Sequence, residues 1–359
     1  SLSLDSITAS VRGGGGWATA TREIGPPGIN AWQIGKLEEL AQTRGPALTP
    51  REIAAKLVEI EFAPPSYSDT QVATAIGVAS AGLAFLNSGS AVEVIAAGTG
   101  GGIGQWLRSR LSHRRLNQYA ISSLSAVTAS GLYVLVATLA DQIGFGFELH
   151  SAGFISSVLF LVPGFPLIAG LFDLLQYQTV AAVSRLAYGV MILAAVAFGL
   201  SIVIAVAGVD LSPRPLPEIA YPVTLLLRAV ASFAAACSFA ILFNNGGRAV
   251  FAAGLLAIGA NDLRLVLQDA GMMPASAAFF GALAVGLVAP LAGQRFAMPR
   301  IAIIVPVIVL MVPGMSAFKM IVLFNRGQML DALEASASCG FAMGALAMGL
   351  AAARFFGHR

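Results

Sequence analysis

The residues best suited to chemistry in this chain are prolines and glycines. They stand in two short stretches, Val162-Pro163-Gly164-Phe165-Pro166 and Val312-Pro313-Gly314, each inside a long apolar run. A proline removes a backbone donor and its ring clashes with the preceding turn, so each stretch is expected to break a helix. In hydrocarbon a freed N–H or C=O is costly unless protein or water satisfies it. A broken helix at that depth therefore belongs beside a buried or water-filled cavity. The half-helix that restarts offers free N–H groups and the positive end of its dipole, a natural seat for a carboxylate. Pro163, Gly164, Pro166, Pro313 and Gly314 are accordingly candidate substrate-binding residues.

Ionisable and amide groups near these stretches extend the set. Asp173 and Lys319 follow the two Pro-Gly pairs, and Asn87 and Asn244 stand at the ends of apolar runs. Asp173 and Glu93 are carboxylates able to carry a coupled proton, since acids within apolar spans mark ion pathways. Each has a plainer reading. The Pro-Gly pairs could be packing kinks, Asp173 a solvated interfacial acid, and Lys319 or Arg228 snorkelling cations. Asn87 and Asn244 could cap helices, and the glycines from Gly98 to Gly104 could serve close packing. His113, His150 and His358 fall outside the apolar runs, and Asp173 has no acidic twin after Gly314. That disfavours an intramembrane hydrolase, which needs a nucleophile with a base or paired acids. The chain is read as not an enzyme. Cys237 and Cys339 read as small apolar residues, without disulfide, metal or cofactor.

These groups must be positioned by membrane helices. Of the 359 residues 57% are hydrophobic and 11% charged, with mean hydropathy +0.80, whereas a soluble domain is roughly a quarter charged. Ten apolar segments follow Asp69: 70–86, 91–107, 117–140, 152–172, 183–208, 219–243, 249–260, 271–292, 301–323 and 329–353. The second and seventh are weak, being short or glycine-rich. Sliding the chain by 150 positions superposes the two Pro-Gly stretches, Gln178 on Gln328, and Gly199-Leu200 on Gly349-Leu350. More weakly, the sequence around Asn87-Ser88-Gly89 resembles that around Asn244-Asn245-Gly246. Two units of five spans follow, at 70–208 and 209–359, and an odd number inverts the second copy. The expected fold class is an all-α polytopic membrane protein, a 5+5 inverted repeat with broken helices in spans four and nine. Arginines favour one side by ten to three, with Arg108, Arg110, Arg114 and Arg115 in one loop and Arg214, Arg264 and Arg326 opposite. Both termini are thus expected in the cytoplasm.

Residues 1–69 are different material, with six Lys/Arg against eight Asp/Glu. Stretches 2–12 and 17–24, joined by four glycines, predict a hairpin. Helices are predicted over 30–42, with Asn30 as cap, and from Thr49-Pro50-Arg51-Glu52 onward. This small cytoplasmic α+β segment starts without methionine, so it is expected to be part of a larger domain.

Taken together, the residues resemble the threonine/serine exporter (ThrE-like) family in its fused two-unit form. The resemblance runs over essentially the whole chain. It rests on Thr21-Arg22-Glu23-Ile24 with Ile29-Asn30, the 37–40 and 52–60 helices, and Asn87-Ser88-Gly89-Ser90 with Glu93. Further on it rests on Pro163-Gly164, Asp173 and Arg185-Leu186, then Phe243-Asn244 with Arg248, and Pro306 with Val312-Pro313-Gly314. Two features depart: the family's upstream helix is absent before Ser1, and Asn87 replaces a glycine. The resemblance implies inner-membrane efflux of threonine and serine driven by protons; some two-subunit relatives export dicarboxylates instead. For a zwitterion, Lys319 would face the carboxylate and Asp173 or Glu93 the ammonium. A passive channel remains a rival, nucleic acid has no place as a partner, and self-association into a homo-oligomer is open.

Overall fold

The computed structural model describes residues 6–13, 16–23, 28–42, 48–114, 116–145, 151–208, 219–296 and 298–357. Strands β1 (Ser6–Gly13) and β2 (Gly16–Glu23) pair antiparallel, Ser6 opposite Glu23 and Gly13 opposite Gly16. The predicted hairpin is therefore present; residues 2–5, its tip at 14–15 and residue 24 lie outside the described residues. Helix α1 (Ala31–Gln42) is capped by Asn30, whose Oδ1 accepts from the Gln33 N–H at 3.1 Å. Helix α2 (Pro50–Glu61) opens with a capping box in which Thr49 N donates to Glu52 at 2.7 Å. That bond holds the Glu52 carboxyl below its ordinary range.

Twelve α-helices follow among the described residues. The first unit contains α3 (Asp69–Leu86), α4 (Ala91–Ser112), α5 (Gln118–Ala140), α6 (Ser151–Ser156), α7 (Gly164–Leu175) and α8 (Thr179–Ala207). The second contains α9 (Tyr221–Leu242), α10 (Gly247–Asp269), α11 (Pro274–Phe296), α12 (Arg300–Met311), α13 (Gly314–Asn325) and α14 (Met329–Gly357). Among the described residues seven helices are long and apolar enough to cross a membrane. Two bent pairs, Ala152–Leu161 with Gly164–Leu175 and Arg300–Met311 with Gly314–Asn325, also pass when each is taken whole. The count is thus up to nine, against the ten expected. The missing one is α4, a helix of 22 residues whose Gly98–Gly104 stretch dilutes its hydropathy. Packing explains the glycines: a Cβ on Gly100 would stand 2.3 Å from the Ala129 carbonyl, and one on Gly101 2.1 Å from Ser80 Oγ.

The weak seventh segment is longer than expected. Helix α10 runs nine residues past Ala260 because its polar residues are satisfied inside the protein. Asn261, fully buried, donates to Ser232 Oγ (2.9 Å), Ser232 donates to Asp262 (3.0 Å), and Arg264 Nε donates to Asn261 Oδ1 (3.0 Å). Arg228 pairs with Asp269. Arg264, expected in a loop, is therefore part of a helix.

The internal correspondence needs two offsets. From α7 onward 150 positions separate equivalents: α7 and α13 have 12 residues each, α8 and α14 have 29 each. Upstream the offset is 156. Helices α3 and α9 end at Leu86 and Leu242, α4 and α10 begin at Ala91 and Gly247, and α5 and α11 begin at Gln118 and Pro274. Asn87 therefore corresponds to Phe243 rather than Asn244, and Ser88 (φ 72°) to Asn244 (φ 56°). The two frames meet consistently. Gly199 would place a Cβ 2.6 Å from the Ser123 carbonyl, and Gly349 one 2.4 Å from the Phe279 carbonyl.

Candidate functional site

Both Val-Pro-Gly stretches fold as the same tight turn. Pro163 has φ −77° and ψ 58°, and Pro313 has φ −74° and ψ 58°. Gly164 N donates to Val162 O at 2.8 Å and Gly314 N to Val312 O at 2.7 Å. This is the inverse γ-turn, whose φ the proline ring supplies. The chain bends by 67° at the first turn and 44° at the second. The two turns also touch each other. A Cβ on Gly164 would meet Val309 and Val312 at 3.3 Å, and one on Gly314 would meet Leu159 at 2.6 Å and Val162 at 3.2 Å. Each glycine lets one broken span pass against the other.

Two cavities meet at this crossing. One, of about 390 Å³, is lined by Phe160 to Pro166, by Gln105 and Arg108 of α4 with His113 just past its end, by Gln118 and Tyr188, and by Phe239, Leu242 and Phe243 at the end of α9. Gly28 and Ile29 stand at it as well, so it reaches the face that carries the N-terminal segment. The other, of about 410 Å³, shares Gly164, Phe165 and Val309 and collects Asp173, Arg185, Arg300, Arg354 and Glu38. Both volumes suit a small polar solute.

The predicted site residues divide. Pro163, Gly164 and Pro166 line the first cavity and Asp173 the second. Asp173 is ion-paired with Arg185 at 2.7 Å, so its charge already has a partner. Pro313 and Gly314 form the crossing. Lys319 is half-buried on α13 and lines neither cavity. Glu93 is 2% exposed and bonded on both oxygens: Ser90 N and Gly153 N donate at 2.7 and 3.1 Å, and the Tyr133 hydroxyl lies at 3.4 Å. It ties α4 to α5 and α6. Asn87 caps α3 through the Leu83 carbonyl (2.8 Å) and reaches Ser156 Oγ (3.3 Å). Asn244 accepts from Ser66 N (2.8 Å) and donates to Asn30 (3.0 Å). Beside it Ala31 N donates to Phe243 O, and Tyr67 donates to Asn245 O while burial pushes its phenol up. Asn244 thus docks the N-terminal segment.

At the first of the two restarting helices the expected anion seat is sparse. Gly164 spends its N–H on the turn, Pro166 has none, and Leu167 bonds Pro163 O, which leaves Phe165. The positive group in the first cavity is instead Arg108. Hydropathy alone groups it with the basic loop, because it closes a low-hydropathy stretch. Its spacing of three from Gln105, one face of a helix, was the signal available.

Two family models cover nearly all of the chain. Residues 1–207 match the ThrE model of the threonine/serine exporters, and residues 228–356 match a second model, described as Threonine/Serine exporter, ThrE. No curated protein and no solved structure matches it.

Proposed function

The chain belongs to the threonine/serine exporter family, and on that premise we propose a secondary transporter that exports threonine and serine by proton antiport. The carrying observation is the crossed pair of Val-Pro-Gly turns with two cavities that share Gly164. Glycine at such a crossing lets two broken spans slide or rock, the motion alternating access requires. In this reading the two units, 70–208 and 209–359, are inverted copies, supported by the matched helix lengths and turn angles. Asp173 is the coupling acid: protonation would release Arg185, so a proton and an ion pair are exchanged at one place. The membrane is the inner membrane with both termini in the cytoplasm, supported by the arginine bias and by the segment docked on the 243–246 turn.

Counterflow of labelled threonine into proteoliposomes tests the reading, with a proton gradient imposed in a second arm. Exchange plus gradient-driven accumulation is expected. Equilibration without accumulation would mean a passive channel, and absence of flux would remove transport of threonine altogether. A dicarboxylate substrate draws on Arg185, Arg300 and Arg354 in the second cavity; succinate competing better than serine would select it.

A further inference from the structure

The first cavity holds two groups that the broken helix does not explain. Gln105 is 5% exposed, and its Nε2 donates to Ser109 Oγ at 3.3 Å while its Oε1 has no hydrogen-bond partner. A buried acceptor left unpaired is unfavourable unless something donates to it. Three residues on, the half-buried Arg108 guanidinium makes no hydrogen bond or ion pair with a described residue. Its neighbour Tyr188 donates its hydroxyl to Gln118 at 2.8 Å. The acid at the cavity mouth, Asp69, faces His113 at 3.5 Å. One unpaired cation and one unpaired buried acceptor thus stand together against the Pro163 turn.

The second unit repeats the pair. Asn261 and Arg264 lie 156 positions beyond Gln105 and Arg108, the offset that relates α4 to α10. Arg264 packs where a Cβ on Gly281 would touch both it and Met311, just before the second turn, each at 3.3 Å. Here the amide oxygen and the guanidinium bond each other at 3.0 Å. An amide and a guanidinium thus stand at equivalent positions of both units, bonded to each other in one and apart in the other.

We propose that Arg108 and Gln105 form the seat of an α-amino-acid zwitterion in the first cavity. The Arg108 fork takes the α-carboxylate in a paired, charge-assisted contact, and Gln105 Oε1 accepts from the α-ammonium. The seat rests on the exporter reading above and refines it, because it moves the carboxylate from Lys319 to Arg108. If Arg108 merely snorkelled, its exact cation would not matter to the choice of substrate.

The test is threonine counterflow in proteoliposomes of the full chain, competed by unlabelled L-threonine, by L-threoninamide, which lacks the carboxylate, and by 3-hydroxybutyrate, which lacks the ammonium. Wild-type protein is expected to favour threonine over each analogue by about tenfold or more. In Arg108→Gln the preference over threoninamide collapses towards one, while that over 3-hydroxybutyrate persists. Gln105→Leu gives the reverse pattern. If Arg108→Gln does not insert, Arg108→Lys keeps the charge without the fork, and its preference over threoninamide falls about tenfold. Unchanged preferences in these variants would overturn the seat and leave the exporter standing. Wild-type protein without threonine counterflow would overturn the exporter reading itself, and the seat with it.

Discussion

At the scale of single residues, the two turn glycines differ in how much room they have. A methyl on Gly164 meets two valine side chains at the edge of contact, whereas one on Gly314 overlaps Leu159 at 2.6 Å. Gly314→Ala is therefore expected to slow threonine counterflow more than Gly164→Ala. Valine at either position should abolish it while leaving protein in the membrane, because the crossing no longer closes. Equal flux in all four variants would take the crossing out of transport. The carboxylates separate in the same way. Asp173→Asn should lose gradient-driven efflux while equilibrium exchange persists, since the acid lines a cavity beside Arg185. Glu93→Gln replaces one of two acceptor oxygens by a donor among three inward-pointing donors. It should destabilise the protein by about 1–3 kcal/mol, read as earlier thermal unfolding, with the pH dependence of flux unaltered. The prolines and glycines were legible in sequence because their backbone effect is local. Glu93, Asn87 and Asn244 were visible as polar residues at helix ends, but whether such a group faces a substrate or another helix depends on tertiary packing. Arg108 was hidden for a related reason: hydropathy counts a guanidinium as loop even where the helix continues beneath it.

Elements show the same division. The hairpin, α1 and α2 were readable from turn and cap chemistry, down to the Asn30 cap and the Thr49–Glu52 box. Helix α4 was ambiguous because glycine lowers hydropathy while permitting the closest packing in the first unit. The length of α10 could not be read at all, since Arg228, Ser232, Asn261, Asp262, Arg264 and Asp269 become tolerable within helices only through one another. The N-terminal segment raises a question of the same kind, because its attachment combines a handful of hydrogen bonds centred on Asn244 with a small apolar cluster of Ala31, Ala249 and Ala302. That residue has φ 56°, so glycine can replace it without backbone strain while removing the bonds to Asn30 and Ser66. Asn244→Gly is expected to speed proteolysis within 28–68 several-fold while the helices from α3 onward stay protected. Protection of 28–68 equal to wild type would mean that the backbone bond from Ala31, the Tyr67 hydroxyl and the packing of Ala31 on Ala249 and Ala302 hold the segment without Asn244.

For the whole molecule, the decisive property is the relative direction of the two units. An odd number of crossings per unit obliges equivalent points to face opposite sides of the bilayer, whereas an even number would put them on the same side. The bent pairs matter here, because each must count as one crossing for the number to be odd, and α4 must cross despite its glycines. The turns between α7 and α8 and between α13 and α14 are the best reporters. They are equivalent at an offset of 150, each with one residue of positive φ, Tyr177 at 60° and Gly327 at 75°, and Tyr177 is almost wholly exposed. A cysteine replacing Tyr177 or Arg326, in a chain whose Cys237 and Cys339 have been changed to alanine, should react with a membrane-impermeant maleimide in intact cells at only one of the two sites. Arg326→Cys is the one expected to label, because the α7–α8 turn shares its side with Arg185 and Arg354, which line one cavity with Glu38 of the docked segment. Permeabilised cells should label both. If both turns react from outside, or neither does until the cells are opened, the units run in the same direction. The crossed turns would then be a packing device rather than the two ends of one alternating site.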